Sequence, residues 1–188
     1  MPEQITLPRL TIQYRDPFIF KTLYFLAHEW LKENDYLDED RGITRFEKNY
    51  EEQRIKDVRH YRIWWRTFRI PHGSSFVKYK INLNYLGLVI QQVEIMQEGK
   101  RIKAQSGEIN LFIEGIIEVD FKDHFKKNFI MRGFEDVFKT RWMKNQLEGH
   151  KEELKRDVNR FHGTLKTWFE LQHSMPVQKM YHTKFDKV

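Results

Sequence analysis

The sequence predicts an α+β fold: a curved, antiparallel sheet of about six strands, with an N-terminal helix and a long C-terminal helix packed on one of its faces. Three observations carry this. Hydropathy alternates with a period near two from residue 44 to residue 121, the pattern of half-buried strands. From about residue 125 the period becomes 3.6, the pattern of an amphipathic helix. The chain has 188 residues, of which 15% are aromatic, enough to build one core without disulfides or metal.

Residues 5–14 read as a first strand, with Leu10, Ile12 and Tyr14 alternating with Thr11 and Gln13. Pro8 lacks an N–H and places the beginning of this strand at an edge. Asp16-Pro17 then reads as a helix start, Asp at the N-cap and Pro in the first turn. The apolar stripe from Phe18 to Leu31 covers more than half the helix, so burial on two sides is expected. Residues 33–42 form an acidic loop. Its Asp35, Asp38, Glu39 and Asp40 lack the alternating oxygens, central Gly and closing Glu of a Ca²⁺ loop, so a solvated turn is expected.

In the sheet region Tyr61, Ile63 and Trp65 alternate with Arg62, Trp64 and Arg66. Pro71 to Ser75 has turn composition. Val77, Tyr79, Ile81, Leu83 and Tyr85 then alternate with Lys78, Lys80, Asn82 and Asn84, which implies one buried and one wet face. Further strands are expected at 88–96, 102–104 and 109–121, with a tight turn at Glu98-Gly99-Lys100 and a bulge at Gly115. That bulge would put Glu114 on the opposite face from Glu118 and Asp120. Phe134, Phe138 and Trp142 lead into the heptad-spaced Leu147, Leu154, Phe161 and Trp168, with Gly149 a point where the helix could break. Residues 1–172 thus read as one domain, and 173–188, with Pro176 and little periodicity, as a loosely structured tail.

This element order resembles the helix-grip arrangement, in which an antiparallel sheet wraps the last helix. The resemblance implies an apolar or amphipathic ligand held between sheet and helix. Tyr61, Trp65, Tyr79 and Tyr85 would line that space or fill it.

The chain offers little catalytic chemistry. It has no cysteine, which excludes thiol enzymes, disulfide scaffolds and cysteine-ligated metals. No glycine loop of phosphate-binding type occurs. The eight histidines show no tight ligand spacing, so no metal site and no cofactor is expected. His150 and Glu153 are an i, i+3 pair, but in the reverse order of the di-iron Glu-x-x-His motif and without its partner carboxylates. Ser74 and Ser75 beside His72 sit between strands, not at a strand-to-helix elbow. No catalytic residue is assigned, and a non-enzyme is expected.

The charge pattern is more suggestive. The chain carries 33 basic and 27 acidic residues, net +6. The excess is central: residues 45–108 hold 13 basic and 7 acidic residues, against 5 and 8 in residues 1–44. Arg62, Trp64, Arg66, Lys78 and Lys80 share one face, and cations between flat rings suit a polyanion such as RNA, DNA or a ribosome. The same groups stacked on one another would simply cover a sheet.

Three readings follow. The leading one is a non-catalytic protein that binds an apolar small molecule between sheet and C-terminal helix. The second is a polyanion-binding protein using the basic face. The third is a structural subunit of a homo-oligomer assembled through the C-terminal helix. No run approaches the roughly 20 apolar residues of a membrane span. The start, Met1-Pro2-Glu3-Gln4, has no signal-like apolar core, so a cytoplasmic protein is expected.

Overall fold

The computed structural model describes residues 3–38, 44–74, 76–97, 100–119, 143–174 and 178–181. Along the chain these form β1 (Glu3–Thr6), β2 (Leu10–Tyr14), α1 (Phe20–Glu33), β3 (Leu37–Asp38), β4 (Glu47–Ile55), β5 (Val58–Arg69), β6 (Val77–Gln97), β7 (Lys100–Val119), α2 (Met143–Ser174) and β8 (Gln178–Tyr181). The architecture is α+β, with every strand pair antiparallel. β7 and β6 are central. β1 and β2 both lie on the outer edge of β7, β5 pairs with β6, and β3 and β4 pair with β5.

The N-terminal strand is two strands. β1 pairs with residues 116–119 of β7 and β2 with residues 109–113. Pro8 sits at the break, where its missing N–H costs no ladder bond. Leu7 N–H still donates to Gly115 O at 2.8 Å, so both pieces follow one edge.

α1 begins at Phe20, not at Asp16-Pro17. Phe18 first exchanges two backbone bonds of 2.8 Å with Gln105 of β7. The Gln105 side chain then accepts the Phe20 N–H at 2.9 Å. A glutamine 85 residues away thus does the work expected of Asp16, a partner that local sequence does not reveal. Burial is also one-sided: Leu23, Ala27, Trp30 and Leu31 are buried, whereas Phe25 is 64% exposed.

The expected solvated turn is only partly so. Tyr36 is fully buried, and Leu37–Asp38 pairs with Phe68 and Thr67 of β5. Asp38 is buried and held by Lys48 at 3.1 Å. Residues 39–43, with Glu39 and Asp40, lie outside the described residues, as do Glu98 and Gly99.

β6 and β7 are each one long strand where four shorter ones were expected. Gly115 is not a bulge: Ile81 faces it and the register runs straight through. The irregularity lies between Leu88 and Gln91, opposite Gly107. Val89 has φ 54° there, and a Cβ on Gly107, whose φ is 153°, would lie 2.6 Å from the Val89 carbonyl oxygen. Only glycine fits this crossing. Gly115 serves closeness instead, since a Cβ there would meet Val158 of α2 at 2.8 Å. With no bulge, Glu114 and Glu118 share the outer face; Asp120 lies outside the described residues.

α2 runs unbroken through Gly149. Leu154, Val158, Phe161, Leu165 and Phe169 are buried, a stripe recurring at four, three, four and four residues that packs on the inner face of the sheet. That buried stripe is covered by the chain's own sheet. Phe134, Phe138 and Trp142 lie outside the described residues. Helix α2 continues to Ser174, and β8 pairs with Glu94 and Met96 of β6, so part of the expected loose tail has regular structure. Among the described residues no helix is long and apolar enough to cross a membrane.

Candidate functional site

The four rings placed between sheet and helix, Tyr61, Trp65, Tyr79 and Tyr85, are all buried on the inner face. Three of them pack against rings brought by α1. Phe20 stacks on Tyr61 at 5.4 Å, and Tyr24 meets Trp65 at 4.6 Å and Tyr85 at 5.9 Å. Trp65 and Tyr85 also touch, at 5.3 Å. Tyr24 donates to Glu47 and accepts the indole N–H of Trp65 at 3.3 Å, so the polar ends are paired inside the cluster.

Tyr85 is the exception. Its hydroxyl is buried without a hydrogen-bond partner, and burial holds its pKa well above the ordinary value. An unmet buried hydroxyl costs about 1–3 kcal/mol. Tyr85→Phe should therefore raise stability by about 1 kcal/mol in urea unfolding. A loss of stability instead would mean that the hydroxyl has a partner in the folded protein.

Tyr79 belongs to a separate, polar cluster. Strand register sets Arg69 of β5 directly across from Tyr79 of β6. His150, Glu153 and Asp157, at i, i+3 and i+7 on α2, face them. The Tyr79 hydroxyl lies 2.8 Å from Glu153 Oε2 and 2.6 Å from His150 Nδ1. One hydroxyl carries one proton. With Glu153 ionised, Tyr79 donates to it and His150 donates its Nδ1–H to the phenolic oxygen. Burial, then the bond to Glu153, pushes the Tyr79 pKa far up. Arg69 Nη2 reaches Glu153 at 3.0 Å and Asp157 at 2.8 Å, and Tyr36 donates to Asp157 at 2.9 Å. The sequence shows the His150–Glu153 spacing, but not that its partner is a tyrosine on a distant strand.

Arg62, Trp64, Arg66, Lys78 and Lys80 do lie together on the outer face of β5 and β6. The pairs Arg62↔Leu86, Trp64↔Asn84, Arg66↔Asn82 and Phe68↔Lys80 set their spacing. Acidic and polar groups of the sheet stand among them. Lys80 and Lys78 converge on Glu118 at 2.8 and 3.8 Å. Arg62 meets Glu51 at 3.5 Å, and Arg66 donates to Asn84 at 2.7 Å while lying over Trp64. Trp64 is 39% exposed. Among the described residues no group of three or more His, Asp or Glu side chains is arranged to hold a metal ion.

The described residues also form concave spaces. A cavity of about 320 Å³ opens beside Arg69 and Glu153. A larger groove of about 550 Å³ runs between β2 and α2. Ile12, Tyr14 and Phe169 give it an apolar floor, with Thr11, Gln13, Asp16, His162, Lys166 and Glu170 around them. Tyr14 and Phe169 lie ring to ring at 4.5 Å, with Phe18 edge-on to both. The Tyr14 hydroxyl is buried without a hydrogen-bond partner. Burial, and then Asp16, raise its pKa to about 12, so the phenol is neutral near pH 7 and can both donate and accept. The sequence marks Tyr14 and Ile12 only as alternating strand residues; His162, Lys166 and Phe169 become one wall through helical spacing. No protein-family model and no curated protein matches the chain.

Proposed function

We propose that the protein is a non-catalytic binder of a neutral amphipathic small molecule, seated in the groove between β2 and α2. The carrying observation is the aromatic groove itself, whose lining includes Tyr14, a residue with a buried and unpartnered hydroxyl. A ligand that lays its apolar body on Ile12 and Phe169 and bonds to that hydroxyl offsets the cost of burying it. The rim is mixed in sign: Lys166 sits 3.7 Å from Glu170, and Asp16 lies on the opposite wall. A neutral head such as an alcohol suits that balance better than an ion of either sign. The groove lies between sheet and C-terminal helix, but at the sheet edge rather than over the four central rings.

The test is a titration with 1-decanol followed by tryptophan emission, because Trp168 lies 5.0 Å from Phe169. Saturable binding is expected, absent from the emission of Trp168→Phe and weakened about 5–10-fold in Tyr14→Phe, the equivalent of one neutral hydrogen bond. No saturable response, or unchanged affinity in Tyr14→Phe, would contradict the assignment.

A further inference from the structure

We propose that the cavity beside Arg69 is a second binding site, independent of the groove, for a small neutral ligand that carries a carbonyl acceptor next to an N–H donor, as a primary amide does. The cavity holds about 320 Å³, at the lower end of small-molecule sites. Its apolar walls are Leu37, Phe68, Ile70 and Pro71, and its polar groups include Arg69 and Glu153.

The state of Arg69 defines the ligand. Its guanidinium lies over the rings of Tyr36 and Tyr79, at 5.2 and 5.4 Å. Nη2 serves Glu153 and Asp157. Nε is buried and has no hydrogen-bond partner. A buried donor on a charged group is among the costliest to leave unmet. What completes it is an acceptor oxygen. An anion is disfavoured, since two carboxylates already sit on this guanidinium and Asp35 lies at the cavity wall. A cation would compete with Arg69 for Glu153. A neutral carbonyl that displaces the groups covering Nε meets it without adding charge, and the adjacent N–H can donate to the partly exposed Glu153 carboxylate.

The arginine Nε–H resonances of the ¹⁵N-labelled protein test this directly. The Arg69 signal is assigned through its own side chain, so no variant need fold for that step. Propionamide should move it saturably, with a dissociation constant of roughly millimolar order for so few atoms. Propionate and propylammonium should leave it in place. The Ile70→Trp variant, at a position 42% exposed, should lose the response because the indole fills the cavity. A resonance unmoved by propionamide, moved equally by propionate, or still responsive in Ile70→Trp would overturn the proposal.

Discussion

Asp157→Leu should destabilise the protein by about 3–5 kcal/mol, the usual cost of removing one partner from a buried ion pair. Asp157 is buried, accepts the Tyr36 hydroxyl and sits 2.8 Å from Arg69. Its loss leaves a mostly buried guanidinium with Glu153 alone and strands a fully buried phenol. Urea unfolding should show a lower midpoint at an unchanged slope, the signature of lost stability rather than a changed unfolded state. The double variant Arg69→Met/Asp157→Leu should recover much of the loss, because the stranded charge is then gone. A double variant as unstable as the sum of the two single ones would show instead that the residues act separately.

The second large effect is alkaline. Tyr36 and Tyr85 are fully buried, and burial raises both pKa values well above 10.0, with Asp157 adding to the shift at Tyr36. Above pH 10 the unfolded chain releases these two protons while the folded chain keeps them. The folded state then binds more protons, so stability falls as pH rises, by about 1.4 kcal/mol per pH unit for each tyrosine. The contribution is intact below pH 10 and is lost progressively above it. Urea midpoints measured from pH 9 to pH 12 should drop steeply, and Tyr85→Phe should remove one tyrosine's share of the slope. A midpoint flat across that range would mean that the two phenols ionise as freely when folded as when unfolded.

The parity of β5 and β6 is legible because side chains on a strand alternate strictly, and burying one face leaves its mark at every second residue. The same logic reads Leu154, Phe161 and Leu165 as one helical face. What alternation cannot show is what lies opposite. Gly107, between Ser106 and Glu108, falls between two expected strands and Gly115 inside one, yet both lie within β7. One faces a backbone carbonyl at an irregular crossing and the other faces a helix, a difference that only pairing and packing reveal. Phe20 and Tyr24 carry no sign that they will fill the space over Tyr61, Trp65 and Tyr85. Glu118 carries none that it will answer Lys78 and Lys80. Each depends on pairing between residues 38 or more positions apart. The spaces at Tyr14 and at Arg69 arise where an end of one element meets α2. Such corners follow from packing angles, which periodicity does not encode.

A central excess of cations suggests a field that draws polyanions. In the fold Glu118, from outside the central segment, joins Glu51 among those cations and lowers the local field.

In the proposed function, ligand enters between β2 and α2 rather than at the ring cluster under α1. Photocrosslinking with a diazirine-bearing ten-carbon alcohol, followed by peptide mapping, locates the occupant directly. Labels on residues 11–16 and 162–170, competed away by 1-decanol and lost in Thr11→Trp, are the predicted result. Labels centred on Tyr61, Trp65 or Tyr85, or labelling that 1-decanol does not compete, would contradict it.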